Sequence, residues 1–168
     1  LLRLFFPHSH ITCVELDEEH IYIARQHFSI PSEDVTVLHG DAYEALENMG
    51  KTCEKFDWII DDVFQHGSGE PERLAALDKL GSRYSGCLND KAILSINVIA
   101  KQQSKEVKSL AKSFSSAYEF SHPLYVNRII SLMKFDASSA LFRRNLKQHK
   151  MLNQDFKSCK LNYRLKKF

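Results

Sequence analysis

The chain has 168 residues, of which 43% are hydrophobic and 26% are charged, a composition typical of one globular domain. Its four cysteines are scattered without a CxxC pair, which argues against a zinc ribbon or a disulfide-rich secreted scaffold. No apolar run approaches the roughly 20 residues that cross a bilayer, and no signal-peptide pattern is recognisable. We therefore expect a reducing, cytoplasmic location and no membrane partner.

The charge of the chain is divided unevenly along its length. Residues 141–168 carry nine Lys/Arg and one acid, a net charge of +8, whereas residues 1–140 carry 14 basic and 20 acidic residues, a net charge of −6. We therefore predict a domain over residues 1–136 and a basic helix and tail over residues 137–168. The tail is either a surface for nucleic acid or another acidic partner, or a solvated terminus. Near its end only Tyr163 and Phe168 are aromatic, which gives little support for base stacking.

Apolar patterning predicts strands that alternate with helices. An apolar stretch up to Phe6 is typical of a helix that Pro7 terminates. The further predicted elements are strand 11–16, a helix capped by Asp17 and running to 28, strand 35–39, helix 42–49, strand 56–60, a helix from 71 to about 85, strand 92–99, helix 102–117, strands 118–122 and 126–135, and helix 138–149. This order indicates an α/β fold with a mostly parallel sheet, helices on both faces and an antiparallel edge strand.

Acidic side chains follow three successive predicted strands. They are Glu15, Asp41 and the adjacent pair Asp61 and Asp62. Ligands of such sheets bind beyond the carboxyl ends of the strands, so the first acid can accept hydrogen bonds from ribose hydroxyls and the second from an adenine amine. The alternative is that these acids are helix N-caps. The adjacent pair suits acid–base chemistry or a cationic substrate, and we place Asp61 with the cofactor-binding acids.

Histidines give weaker signals. His66 follows the acidic pair and is a candidate substrate contact, or else an exposed loop residue. His8, His10 and His20 have no evident further ligand beside them, so no metal site is predicted.

Three of these segments together resemble the spermidine-synthase-like branch of the class I S-adenosylmethionine-dependent methyltransferase superfamily. They are VELDEEHIYIARQHF, VLHGDAYEAL and FDWIIDDVFQHGSGEP, and the resemblance covers about residues 1–135. It implies a Rossmann-like fold and S-adenosyl-L-methionine as cofactor. The resemblance also implies that Glu15 binds the ribose, that Leu16 packs on the adenine, and that Asp41 and Ala42 contact the adenine edge. It further implies that Asp62 borders the reaction centre.

The sequence departs from this family at its beginning. The family's first strand and glycine-rich loop should precede the helix that ends at Phe6, and neither is in the chain. We therefore expect a chain truncated at its N-terminus whose natural start lies upstream. Without those glycines the backbone cannot approach the cofactor closely, so the affinity for it should fall. An enzymatic activity is then expected only if the glycine loop exists in the whole protein.

A second departure concerns the reaction centre. Aminopropyltransferases of the family read Asp-Ser-(Ser/Thr)-Asp, whereas this chain reads Asp62-Val63-Phe64-Gln65. The first acid, which takes the proton from the attacking amine in the family, is kept as Asp62. The second, which holds a substrate amine, is replaced by the neutral Gln65.

This pattern is more similar to the non-polyamine members of the family, including eukaryotic methyltransferases that act on amines of a translation elongation factor. The predicted function is methylation of an amine on a protein substrate. The alternatives are an aminopropyltransferase with a small amine substrate, and an inactive Rossmann-like module that binds a partner. Tyr125, in a Pro-x-Tyr that resembles a substrate-side motif of the synthases, joins Gln65 and His66 as a candidate substrate contact.

Overall fold

The computed structural model describes residues 2–28, 35–66, 71–73, 75–99, 101–150, 152 and 163–168, apart from the side chains of residues 3, 66, 101, 102 and 104. The chain divides into two compact units, Leu1–Thr52 and Cys53–Phe168. The elements in chain order are α1 (Leu2–Phe5), β1 (Ile11–Glu15), α2 (Glu18–His27), β2 (Val35–His39), α3 (Ala42–Lys51), β3 (Phe56–Asp61), β4 (Gln65–His66), β5 (Pro71–Glu72), a 3-10 helix (Leu77–Leu80), α4 (Gly81–Cys87), β6 (Leu88–Val98), α5 (Lys101–Ala111), β7 (Ser116–Ser121), β8 (Arg128–Met133), α6 (Ser139–Gln148) and β9 (Arg164–Lys167).

The first unit is built around the parallel pair β1 and β2, which the helix α2 connects. Asp17 caps α2 as predicted, because its Oδ1 accepts a hydrogen bond from the backbone N–H of Glu19 at 2.8 Å. Gly40 follows β2 with a φ of 153°, a conformation that L side chains rarely adopt. The glycine thus permits the turn that leads from β2 into α3.

The second unit contains a sheet with the strand order β3-β6-β8-β7-β9 in the described part of the chain. β3 and β6 are parallel, whereas β8 is antiparallel to both β6 and β7. β3, β6 and β7 therefore run in one direction, and their carboxyl ends lie at the same edge of the sheet as the start of β8. The predicted α/β architecture is confirmed. The antiparallel edge strand expected from the pair 118–122 and 126–135 is not at an edge, because β8 lies between β6 and β7. In the described part of the chain, the antiparallel strand at the edge is β9, which pairs with β7 and comes from the basic tail.

The core of the second unit depends on the alternation of side chains along β6. Ala92, Leu94, Ile96 and Val98 are all fully buried. They share the core with other fully buried aliphatic residues, among them Val107 of α5 and Ile130 and Leu132 of β8. Full burial of a side chain of leucine or isoleucine size contributes about 1.5–3 kcal/mol, so these residues are the main source of this unit's stability.

Two predicted elements differ in the structure. The prediction that a helix begins at Pro71 is wrong, because residues 71–72 form β5 and pair antiparallel with β4. A proline lacks the N–H donor but is tolerated in such a short edge pair, and α4 begins only at Gly81. The helix predicted over 102–117 ends at Ala111, because β7 begins at Ser116. Residues 67–69, Gly-Ser-Gly, whose composition favours a turn, lie outside the described residues.

Cys53, just after the end of α3, has a backbone conformation that is unfavourable for a residue with a Cβ atom. Its φ is 59°, in the left-handed region, and the residue is exposed. We expect Cys53→Gly to raise the free energy of unfolding by about 0.5–1 kcal/mol, because glycine carries no Cβ penalty at such a helix C-terminus. Urea unfolding of the 168-residue chain measures this. Cys53→Ala removes the thiol and keeps the Cβ, so an equal gain in both variants would contradict the conformational explanation.

Candidate functional site

In the first unit, all four residues with predicted adenosine contacts lie at the carboxyl edge of β1 and β2. Glu15 ends β1 opposite His39, and its backbone carbonyl accepts from the N–H of Gly40 at 3.0 Å. The exposed Leu16 follows Glu15, and Asp41 and Ala42 follow Gly40. This unit therefore brings the four residues to one edge. Their roles toward a cofactor remain predictions.

The two carboxylates of this edge each use one oxygen within the protein. Glu15 Oε1 accepts from the backbone N–H of Asp17 at 2.9 Å and lies 3.6 Å from Nδ1 of His20. Asp41 Oδ1 accepts from the N–H groups of Tyr43 and Glu44 at 2.8 and 2.9 Å, which makes Asp41 the N-cap of α3. The N-cap alternative is thus correct for Asp41. In both side chains the second oxygen has no hydrogen bond to the described residues and can accept from a ligand.

A pocket of about 210 Å³ lies between α2 and the two strands. Its lining residues are Cys13, Glu15, His20, Ile21, Ala24, Arg25, Val35 and Val37. Burial, and to a lesser extent the negative charge of Glu15, raises the pKa of the Cys13 thiol. The thiol therefore stays protonated at neutral pH, which makes it a poor nucleophile.

In the second unit, the structure separates the acidic pair. Asp61 is 4% exposed, and its Oδ1 accepts from Nη1 of Arg73 at 2.7 Å and from the N–H of Val63 at 3.1 Å. Its Oδ2 accepts from the hydroxyl of the buried Tyr84. Asp61 thus forms a buried ion pair with Arg73, and its further hydrogen bond to Val63 fixes the backbone directly after β3. The cofactor contact predicted for Asp61 remains a prediction.

Asp62 is exposed, unlike its neighbour, and lies beyond the carboxyl end of β3. Its Oδ1 accepts from Nδ2 of Asn97 in β6 at 2.7 Å. The Oδ1 of Asn97 accepts in turn from Nδ2 of Asn127, just before β8, at 3.3 Å. Oδ2 of Asp62 has no hydrogen bond to the described residues. Asp62 therefore offers an oriented carboxylate with one available oxygen.

The predicted substrate residues lie in two segments of the second unit. Gln65 is exposed and pairs with Glu72, whereas the side chain of His66 lies outside the described residues. Tyr125 is 67% exposed in the loop 122–127, and its ring centroid lies 5.0 Å from that of His122. Leu124 and Val126 of this loop are 84% and 81% exposed. The loop joins β7 to β8 and therefore lies at the same edge of the sheet as Asp62.

Sequence reasoning missed Arg73, Tyr84, Asn97 and Asn127. Of these, only Asn97 carries a signal in the sequence, because it is a polar residue near the carboxyl end of the most apolar strand. Within the described residues, no group of three His, Cys, Asp or Glu side chains could hold a metal ion. None of the helices in the described ranges combines the length and the apolar character needed to cross a membrane.

Comparison with solved structures gives matches along most of the chain. The fold is similar to that of human Methyltransferase-like protein 13 in complex with SAH, with a TM-score of 0.77 and 18% identity over 90% of this chain and 75% of the other. It is also similar to a probable spermidine synthase from Corynebacterium glutamicum, with a TM-score of 0.66 and 22% identity over 82% of this chain and 52% of the other.

Among curated proteins, the chain is 30% identical to the polyamine aminopropyltransferase of Vibrio vulnificus (strain CMCP6) over 136 residues. The match covers 79% of the chain and 45% of that protein, so the chain spans about half the length of the curated relative. No family model matches the chain. The fold is that of the spermidine-synthase-like class I methyltransferases, as the sequence motifs predict.

Proposed function

We propose that this chain is part of an S-adenosylmethionine-dependent methyltransferase that acts on an amine of a protein substrate in the cytoplasm. The observation that carries the proposal is the exposed carboxylate of Asp62, which Asn97 holds at the carboxyl edge of the sheet with one oxygen available. The fold supports it, since a similar solved structure is a methyltransferase-like protein in complex with SAH. The described cysteines, Cys13, Cys53 and Cys87, are free thiols, which fits a reducing compartment.

The donor and acceptor set of the first unit fits the nucleoside part of this cofactor. The available oxygens of Glu15 and Asp41 suit the ribose hydroxyls and the adenine amine, and the exposed Leu16 offers an apolar surface for the adenine ring. When bound, S-adenosylmethionine supplies a methyl group: a bond forms from the acceptor nitrogen to the methyl carbon, the carbon–sulfur bond breaks with its electron pair going to sulfur, and SAH is left.

Asp62 provides the acid–base part of the reaction. An amine is protonated in neutral water and must lose a proton before its lone pair can attack. The available Oδ2 of Asp62 accepts that proton, while Oδ1 stays hydrogen-bonded to Asn97. A carboxylate in this position serves an amine better than an alcohol, because an alcohol holds its proton too strongly for such a weak base.

An aminopropyltransferase is the second candidate, because the curated relative is one. The neutral side chain of Gln65 argues against it, since a polyamine substrate carries a second positive charge that favours an acid at this position. An inactive binding module is the third candidate.

Isothermal titration calorimetry of the whole protein with S-adenosylmethionine and with its decarboxylated form distinguishes the three candidates. We expect tighter binding of the form that retains the carboxylate, followed by methyl transfer to a protein amine detected with a labelled methyl group. Tighter binding of the decarboxylated form would favour the aminopropyltransferase. Failure to bind either form would favour the binding module.

Two roles of Asp41, the proposed contact with the adenine amine and the N-cap of α3, can be tested separately by substitution. Asparagine also caps helices well, so Asp41→Asn should leave the melting temperature unchanged and weaken S-adenosylmethionine binding about tenfold, because the available oxygen becomes an N–H donor facing the adenine amine. Asp41→Ala should also destabilise the chain by about 0.5–2 kcal/mol. Calorimetry and thermal unfolding measure the two effects, and unchanged affinity in Asp41→Asn would contradict the adenine contact.

We also propose an acidic protein partner for the basic C-terminal part. In its described residues, α6 and β9 expose the side chains of Arg143, Arg144, Lys147, Arg164, Lys166 and Lys167. Tyr163 packs near Phe120 and Phe142, and Phe168 lies under Lys108, so these rings are occupied and less suited to stacking on bases. Binding of a polyglutamate peptide that weakens when Arg143 and Arg144 are changed to Glu supports this partner, whereas binding of single-stranded RNA alone contradicts it.

A further inference from the structure

Asp62, Asn97 and Asn127 form a hydrogen-bonded chain across one end of the sheet. Asn97 Nδ2 donates to Asp62 Oδ1 at 2.7 Å, and Asn127 Nδ2 donates to Asn97 Oδ1 at 3.3 Å. The three residues belong to the ends of β3, β6 and β8, which are neighbours in the sheet. Asn97 thus stands between the candidate base and the loop that carries Tyr125.

The backbone of Asn97, near the end of β6, is fixed by contacts with two other parts of the unit. It pairs with Ile129 in the ladder between β6 and β8. Its carbonyl oxygen also accepts from Nη2 of Arg73 at 2.7 Å, and the Arg73 side chain is 4% exposed. The position of the Asn97 side chain is therefore set by the buried part of the unit.

The orientation of the Asn97 amide follows from its two contacts. Since its oxygen accepts from Asn127, its NH₂ group is turned toward Asp62. This donor occupies Oδ1 of the exposed Asp62 carboxylate and leaves Oδ2 for a proton from outside.

We propose that Asn97 is the positioning residue for Asp62: it fixes the carboxylate in the orientation in which Oδ2 receives the proton of the substrate amine. The proposal rests on the proposed function, in which Asp62 is the base. Asn127 supports the amide through the longer hydrogen bond and connects it to the loop 122–127. The loop that carries Tyr125 is thus connected to the base through two hydrogen bonds.

The main test is Asn97→Asp, which keeps the shape of the side chain and removes the donor. We expect kcat of the whole protein to fall about 10- to 100-fold, because a misplaced catalytic group loses much of its effect. The KM for the amine and the affinity for S-adenosylmethionine should stay within about twofold, since Asn97 makes no contact with either in this proposal. Asn127→Ala should give a smaller loss of kcat.

The chain offers a matched control at the other end of the same two strands. Asn89 Nδ2 of β6 donates to Asp57 Oδ1 of β3 at 2.7 Å, which is the same pair of atoms at the same distance as in Asn97 and Asp62. Asn89→Asp should affect stability about as much as Asn97→Asp and leave kcat unchanged. An equal loss of kcat in both variants would overturn the positioning role, because the effect would then be one of stability.

The exchange variant Asp62→Asn with Asn97→Asp separates structure from catalysis. It restores a donor opposite an acceptor, so the melting temperature should return to that of the parent, whereas kcat should stay as low as in Asp62→Asn alone. Recovery of kcat would overturn the proposal. Full activity of Asp62→Asn would overturn the base assignment and the positioning role together, while an inactive Asp62→Asn with active Asn97 variants would overturn the positioning role alone.

Discussion

Replacing Arg73 by methionine should lower the free energy of unfolding of the second unit by about 3–5 kcal/mol. Arg73 and Asp61 form a buried ion pair at 2.7 Å, with side chains that are 4% and 3% exposed. The guanidinium also donates to the carbonyl of Asn97, and its Cζ lies 4.6 Å from the ring centroid of Phe64. Methionine keeps much of the side-chain volume but leaves the Asp61 charge buried without its cation, which is the main cost.

Urea unfolding followed by fluorescence measures this loss. Trp58 is the only tryptophan of the 168 residues, and its indole N–H donates to Ser95 Oγ at 3.0 Å within the second unit. Lys91→Met is the matched control, because Lys91 is exposed on β6 and the same loss of a cation there should cost less than about 0.5 kcal/mol.

A double variant tests the role of the charge. Arg73→Met with Asp61→Asn removes both charges, and the amide oxygen of the introduced asparagine can still accept from the hydroxyl of Tyr84. We expect it to be more stable than Arg73→Met alone, because a neutral amide is less costly to bury than an unpaired carboxylate. A cost for Arg73→Met no larger than that of Lys91→Met would show that the pair does not hold this unit together.

Local patterns account for the elements that were predicted well. Asp17 precedes a helical periodicity and two glutamates, and it caps α2 because a helix start requires only nearby residues. The short continuous apolar run in β6 predicts a buried strand. The structure confirms it, since alternate side chains of this strand are fully buried. The acids at the strand ends could also be predicted from local sequence, since each lies at or just after the end of a strand that its apolar pattern identifies.

Contacts between distant residues account for what was missed. Arg73 donates hydrogen bonds to Asp61 and to the backbone carbonyl of Asn97, which lie 12 and 24 positions away. The sequence around Arg73 contains nothing that indicates those partners. The basic composition of the tail predicts a partner-binding surface or a solvated terminus, yet β9 pairs with β7, which lies far earlier in the chain. Lysine and arginine are well tolerated in an edge strand, so local composition does not distinguish such a strand from a solvated terminus.

Asp62→Asn should reduce kcat for methyl transfer about 100- to 10,000-fold, the range that one general base contributes. The amide oxygen of the introduced asparagine can still accept a hydrogen bond from Asn97, so the fold and the melting temperature should be unchanged. The affinity for S-adenosylmethionine should also be unchanged, because in the proposed function the nucleoside contacts are made by Glu15 and Asp41. Initial rates at saturating cofactor, together with calorimetry on the same preparation, measure these quantities.

The pH dependence of the variant gives the sharper evidence. Without a base, transfer depends on substrate amine that has already lost its proton to water, and this fraction rises about tenfold per pH unit below the pKa of the amine, about 10.4 for lysine. The deficit of Asp62→Asn relative to the parent should therefore narrow as pH rises. Asp57→Asn, which changes the acceptor of the Asn89 pair, is the control and should keep the parent profile. A deficit that stays constant with pH would mean that Asp62 holds the substrate without taking its proton.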